Sequence, residues 1–175
     1  MKIRQAELGD LDEIEKLYNR IIETMDPLYR PDWQKGIYPD RALLEELIGN
    51  GDVLTAEENS HIIGAIVVNE RFNPSYEKGN WEKLPPSDFS VIHLLAADPS
   101  RQHQGVARNL LEYVIERERN RGKKALRLDV YSRNVGAARF YLRNGFRHAG
   151  SVRQKYEEQT HSKMSNLFEY LLEQE

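Results

Sequence analysis

The strongest constraint on this chain lies between Phe89 and Tyr131. An apolar run, Phe89 to Ala97, leads into Asp98-Pro99-Ser100-Arg101-Gln102-His103-Gln104-Gly105-Val106-Ala107. Val106, Leu110, Leu111, Val114 and Ile115 then recur at helical spacing, Gly122 closes that pattern, and a second apolar run spans Ala125 to Tyr131. Two strands joined through a helix are parallel, and the crossover lays the helix on one face of their sheet. One face of the first strand carries Phe89, Val91, His93, Leu95 and Ala97, and the other carries Ser90, Ile92, Leu94 and Ala96. Both are mainly apolar, so the strand is expected at the centre of the sheet and covered on both sides. The turn between strand and helix has a chemistry of its own. A helix N-terminus offers unpaired N–H groups and the positive end of a dipole, which suits phosphate.

The flanking segments fix the rest of the fold class. Val53–Glu57 and Ile62–Val68, separated by Glu58-Asn59-Ser60, read as an antiparallel hairpin, so the sheet is mixed in an α/β layered domain. Residues 2–6 read as a first strand. A helix follows, with Asp10 as its N-cap and Leu11, Ile14, Leu17, Tyr18, Ile21, Ile22 and Met25 on its buried face. Pro27 and Pro31 end it. Residues 26–39 are rich in aromatics (Tyr29, Trp33 and Tyr38) and read either as a lid packed on its own domain or as a wall of an acceptor pocket. Asp40 caps a second helix carrying Leu43, Leu44, Leu47 and Ile48. Residues 71–88, with Pro74, Gly79, Pro85 and Pro86, read as a long loop. The central helix is expected to expose Arg117, Glu118, Arg119 and Arg121. Asn134 caps a short helix that runs to Arg143 and stops at Asn144-Gly145. Phe146–Val152 is a further strand, 153–165 a polar loop, and Leu167–Leu172 a last strand or short helix.

Length and charge narrow the function. A chain of 175 residues suits one domain, 1–175, with its own core. It contains no cysteine, which excludes disulfides, a thiolate nucleophile and thiolate metal ligands. No apolar run is long enough to span a bilayer and the N-terminus lacks a signal core, so a cytoplasmic protein with no membrane association is expected. The net charge of -3 does not favour nucleic acid. Residues 1–60 carry seven Lys/Arg against fourteen Asp/Glu, whereas 101–124 carry seven against three. The basic segment therefore adjoins the phosphate-type turn. His61, His103, His148 and His161 are scattered without ligand spacing, so no metal is expected. Gly105 is not followed by the Lys-Ser or Lys-Thr of a Walker loop, and no G-x-G-x-x-G is present.

Two stretches carry a family resemblance. Gln102-His103-Gln104-Gly105-Val106-Ala107 matches the Q/R-x-x-G-x-G/A pattern of the GNAT superfamily of N-acetyltransferases. About thirty residues on, Asn134-Val135-Gly136-Ala137-Ala138-Arg139-Phe140-Tyr141-Leu142-Arg143-Asn144-Gly145-Phe146 resembles its N-x-x-A-x-x-F-Y-x-x-x-G-F signature. Trp33 to Pro39 also looks like a loop of small bacterial members. The resemblance implies a GNAT-like α/β domain with a mixed, mostly antiparallel central sheet flanked by helices. It implies acetyl-CoA, or another short acyl-CoA, as donor and a small-molecule or peptide amine as acceptor. Backbone N–H groups from Gln102, His103, Gln104, Gly105, Val106 and Ala107 are then expected to hold the pyrophosphate, with Arg101 and Arg108 adding charge. Leu95, Ala96 and Ala97 would meet the pantetheine arm through their backbone, and Asn134, Ala137 and Phe140 would lie near it.

The same resemblance assigns the chemistry. Tyr141 corresponds to the family tyrosine that protonates the leaving sulfur, and a phenol of pKa about 10 suits that role. His93 occupies the place from which some members draw a general base, and it titrates near neutrality; the alternative is a core histidine. Glu70 and Asp88 are substitute bases. Tyr29, Trp33 and Tyr38 are the candidate acceptor-binding residues. The competing function is a non-catalytic acyl-CoA-binding module. A C-terminal strand could pair across a homodimer.

Overall fold

The computed structural model describes residues 1–26, 33–154 and 163–172. Tyr29, Pro27, Pro31 and His161 lie outside them. The elements are β1 (Lys2–Gln5), α1 (Leu11–Thr24), α2 (Arg41–Gly49), β2 (Val53–Glu58), β3 (His61–Asn69), β4 (Phe89–Ala97), α3 (Val106–Asn120), β5 (Ala125–Tyr131), α4 (Val135–Arg143), β6 (Arg147–Gln154) and β7 (Lys163–Leu171). The sheet order is β1-β2-β3-β4-β5-β7-β6. The β1–β2, β2–β3, β5–β7 and β6–β7 ladders are antiparallel. β4 and β5 pair in parallel through Phe89↔Ala125, Ser90↔Leu126 and Val91↔Arg127. The sheet is mixed, as expected from the crossover and the hairpin, and mostly antiparallel, as the resemblance implies. Among the described residues no helix is long and apolar enough to cross a membrane.

The chain forms two compact units, Met1–Asn69 with Ile92–Glu116, and Glu70–Val91 with Arg117–Glu175. β4 contributes its first residues to one unit and the rest to the other. In the first unit Ile14, Leu17, Tyr18 and Ile21 of α1 pack with Leu44, Leu47 and Ile48 of α2 and with Ala65, Val67, Leu94 and Ala96 of the sheet. Asp40 caps α2 by accepting from the Leu43 N–H at 2.8 Å. Asp10 does not cap α1. A short 3-10 turn, Leu8–Asp10, precedes that helix, and the Asp10 carboxylate accepts from the Glu7 N–H at 2.8 Å and from Arg4 at 2.6 Å. A nearby guanidinium outcompeted the helix for this acceptor, and sequence spacing does not display that neighbour. The β2–β3 turn places Asn59 and Ser60 at φ 51° and 63°, the backbone hand of a two-residue hairpin turn. At Gly64 on β3, a Cβ would lie 2.7 Å from Val106 Cγ1, 2.9 Å from Leu110 Cδ1 and 3.1 Å from the Ala96 carbonyl. The missing side chain lets α3 seat directly on the strands.

The second unit is organised by buried charge. Glu169 on β7 is buried and paired with Arg127 of β5 at 2.9 Å and with Arg147 of β6. It also accepts from the Glu82 N–H at 3.0 Å. The Arg127 guanidinium lies 3.9 Å from the Phe89 ring centroid and 4.8 Å from that of Trp81, and donates to the Glu82 carbonyl at 2.7 Å. Segment 70–88 is thereby fastened, not loose. It contains the 3-10 turns Pro74–Lys78 and Pro86–Asp88, and Asn80 N–H bonds the Ala149 carbonyl of β6 at 2.7 Å. The sequence expected Glu118 on the solvent face of α3, but it is fully buried. It falls four residues after Val114, on the apolar stripe, and accepts from Ser90 Oγ at 2.6 Å and Arg117 at 2.8 Å. Burial opposes its ionisation, yet Ser90, Arg117 and Arg121 outweigh that and hold its pKa below the usual carboxylate range. The C-terminal segment is a strand: β7 pairs with β5 and β6, so residues 153–154 and 163–165 lie in strands and not in a polar loop.

Two stability outcomes follow from these contacts. Gly64→Ala must push Val106 and Leu110 away, at a cost of about 1–3 kcal/mol, read as a lower urea midpoint with an unchanged m-value. Arg127→Met leaves Glu169 buried with the Glu82 N–H and the partly exposed Arg147, and should cost about 3–5 kcal/mol by the same measurement.

Candidate active site

In the first unit the candidate site begins at a left-handed residue within β4. Leu94 has φ 50°, a left-handed conformation that a branched residue adopts only when its surroundings enforce it. The enforcing contact is the Tyr18 hydroxyl, fully buried on α1, which donates to the Leu94 carbonyl at 2.6 Å. Burial pushes the Tyr18 phenol far above its ordinary pKa, so it remains a donor. Ile92, Leu94 and Ala96 are buried, whereas His93, Leu95 and Ala97 are half-buried. The latter face is therefore not fully covered, contrary to the pattern in the sequence. The ring of His93 lies with Nε2 3.1 Å from Asn69 Oδ1.

After β4 the chain turns through Asp98, whose carboxylate accepts from the Ser100 N–H at 2.9 Å and from Arg20 at 2.9 Å. Gln102, His103, Gln104 and Gly105 are exposed, and His103 and Gly105 have φ 63° and 79°. Both values are left-handed, so successive N–H groups are turned out of the helical direction; this suits an anion-binding concavity. The first helical bond of α3 is Asn109 N–H to the Gly105 carbonyl at 2.9 Å. The N–H groups of Val106, Ala107 and Arg108 precede it and belong to the set a helix cannot satisfy internally. Gly105 is thus required for its φ; a Cβ there would meet only Asn109 Nδ2, at 3.6 Å. The two arginines are otherwise engaged: Arg101 pairs with Glu58 at 2.9 Å and Arg108 with Glu112 at 2.8 Å.

The aromatic segment is partly described. Gln34 and Tyr38 form a narrow bridge, with Gln34 N–H to the Tyr38 carbonyl at 2.7 Å and Gly36 at its tip with φ 73°. Trp33 meets the Tyr18 ring edge-on at 5.3 Å, and both Trp33 and Tyr38 pack half-buried on the first unit's core. Tyr29 lies outside the described residues.

In the second unit the site residues sit on α4, and the helix caps explain their order. Asn134 Oδ1 accepts from the Ala137 N–H at 3.1 Å and starts the helix. At the other end Gly145 has φ 89°; its N–H bonds the Leu142 carbonyl at 3.3 Å, and Phe146 N–H bonds the Tyr141 carbonyl at 3.1 Å. That pair of bonds is the Schellman closure, and its usual apolar contact is present as the Tyr141–Phe146 ring pair at 5.3 Å. Tyr141 is further enclosed by Phe140 at 5.3 Å and Phe168 at 6.3 Å. Burial first, and the Asp129 carboxylate second, push its phenol well above the ordinary value. Ala137 and Phe140 are half-buried.

The two substitute bases are committed elsewhere. Lys124 sits 2.5 Å from Asp88 and holds its carboxyl below the usual range, and Glu70 pairs with Lys123. Among the described residues no group of three or more His, Cys, Asp or Glu is placed to hold a metal. Tyr18 and Asn69 are contributions that the sequence did not disclose. Tyr18 reads only as one more apolar position on α1, and Asn69 as the polar end of a strand.

The family profile described as acetyltransferase (GNAT) family matches residues 18–146. The chain is 26% identical over 155 residues to an L-methionine sulfoximine/L-methionine sulfone acetyltransferase of Salmonella typhimurium, covering 83% of this chain and 80% of that protein. It is 36% identical over 69 residues to the ribosomal protein bS18-alanine N-acetyltransferase of Escherichia coli, covering 39% of this chain and 46% of that one. The fold is similar to that of Salmonella typhimurium yncA, solved with its cofactor acetyl-CoA, with a TM-score of 0.66 at 20% identity over 100% of this chain and 95% of that one. The match across α1 to Phe146, which takes in the left-handed turn and the capped α4, places this chain in the acetyltransferase (GNAT) family as an acyl-CoA-dependent N-acetyltransferase.

Proposed function

We propose that this chain transfers an acetyl group from acetyl-CoA to a primary amine by direct attack of the neutral amine in a ternary complex. The observation that carries the reading is the left-handed turn of His103 and Gly105 ahead of the N–H groups that start α3. Acetyl-CoA supplies an activated acyl thioester. The exposed backbone of Gln102 to Gly105, with Val106 and Ala107, binds its pyrophosphate, because N–H groups at a helix start complement that charge without a counter-ion. The backbone of Leu95, Ala96 and Ala97 aligns the pantetheine arm, and the family resemblance assigns Asn134, Ala137 and Phe140 of the second unit to the cofactor as well. Positioning of this kind supplies much of the acceleration. The chain has no cysteine to carry the acyl group, which supports direct transfer.

His93 accepts the proton that the amine loses, and Tyr141 delivers one to the departing sulfur. The raised phenol pKa of Tyr141 keeps that proton in place across the range in which amines become neutral. The acceptors named in the two relatives are an amino-acid derivative and an alanine of a ribosomal protein. Trp33 and Tyr38 are the described residues we assign to the acceptor, with Tyr29 beside them in the chain.

Thiol release from acetyl-CoA with a panel of methionine sulfoximine, alanine-initiated peptides, lysine peptides and polyamines tests the reading; cofactor binding with no release for any amine would overturn it. Tyr141→Phe should lower kcat by about 10²-fold and leave acetyl-CoA affinity unchanged. In the unsubstituted protein kcat/KM should rise with pH and show no falling limb below about pH 10, the ordinary value for tyrosine. Gly105→Ala forces a Cβ into the left-handed region, at about 1–2 kcal/mol. It should raise the KM for acetyl-CoA by roughly tenfold with little change in kcat.

A further inference from the structure

His93, Asn69 and Asp52 form a chain of polar side chains in the first unit. His93 Nε2 lies 3.1 Å from Asn69 Oδ1, and Asn69 Nδ2 donates to Asp52 Oδ2 at 3.1 Å. The backbone sets this up. Asp52 immediately precedes β2, and its carbonyl accepts from the Val68 N–H at 2.8 Å, which anchors it beside the end of β3 where Asn69 stands. β4, which carries His93, is the next strand in the sheet.

We propose that Asp52 and Asn69 are positioning residues that fix His93 in the Nε2–H tautomer, so that Nδ1 is the nitrogen that takes the proton from the amine. The argument is one of donor and acceptor inventory. A carboxylate only accepts, so the end of the Asn69 carboxamide that faces Asp52 is the NH2 group. That leaves Oδ1 toward the imidazole. An amide oxygen also only accepts, so the ring nitrogen facing it carries hydrogen. In a neutral imidazole the lone pair then belongs to Nδ1. The opposite amide orientation sets two oxygens against each other at Asp52 and an NH2 group against the imidazole. When Nδ1 takes a proton, the Nε2–H bond to Asn69 is unchanged. A hydrogen-bonded partner on the far nitrogen is the usual way a protein chooses which nitrogen is basic.

The role assigned to Nδ1 rests on His93 being the base of the proposed reaction, but the tautomer can be read without turnover. ¹⁵N-resolved NMR of the whole protein, at a pH where the ring is neutral, assigns His93 by the signals lost in His93→Gln. The expected result is the Nε2–H pattern in the unsubstituted protein and a mixed pattern in Asn69→Leu. Asp52→Asn, which keeps the shape but lets the Asn69 amide turn over, should also give the mixed pattern. An Nδ1–H ring in the unsubstituted protein, or an Nε2–H ring that persists in both variants, overturns the proposal. With an active acceptor in hand, Asp52→Asn should lower kcat by about tenfold and leave the KM for acetyl-CoA unchanged; an unaltered kcat would also count against it. Absence of turnover in the unsubstituted protein would overturn the proposed reaction and leave the tautomer result standing.

Discussion

The hydrogen bond from Tyr18 to the carbonyl of Leu94 is the contact on which the candidate site depends. A left-handed branched residue inside a strand costs about 1–2 kcal/mol. A buried hydrogen bond returns roughly 1 kcal/mol net. The two are of the same order, so the bond and the packing of Tyr18 against Trp33 together make the left-handed residue in β4 sustainable. That residue matters because it lies between His93 and Leu95. The same tyrosine that anchors α1 in the core thus sets the conformation of the strand assigned to the cofactor.

The second part of the site rests on helix ends. Asn134, Gly145 and Phe146 are each explained by the closure of a nine-residue helix. An asparagine oxygen satisfies a first-turn N–H, a glycine takes the left-handed stop, and a phenylalanine packs on the residue three places before the cap. That residue is Tyr141. A short helix is marginal without its caps, so the same side chains that make α4 stable also fix the one group on it with acid–base chemistry. The ring contacts with Phe140, Phe146 and Phe168 hold the phenol in place and raise its pKa.

Charge buried in the second unit has a different purpose. Glu169 and Glu118 are both fully buried, and each has two arginines and a further hydrogen-bond donor. Buried ions of this kind stabilise little in net terms, but removing one partner is costly. Their effect is to specify neighbours. Glu169 joins β5, β6 and β7 and gathers the Glu82 N–H, and so draws segment 70–88 onto the sheet.

Periodicity and punctuation were enough to read the strands, helices, turns and caps of this chain, because those are local: apolar spacing, an Asp or Asn before a helix, a glycine after it. The order of the crossover and the hairpin made the sheet mixed, and two motifs at a fixed separation disclosed the family. Local pattern failed where a distant partner decided the outcome. Asp10 left its helix for Arg4, Glu118 turned inward to Ser90, and residues 153–154 and 163–165 joined strands because β7 had two neighbours to pair with. The sequence by itself determined most of the elements, their order and the family. Only the tertiary structure decided that Leu94 is left-handed, that Tyr18 keeps it so, and that Asp52 and Asn69 stand behind His93. Those partners lie 76, 17 and 24 residues apart in the chain, a separation that no sequence period can register.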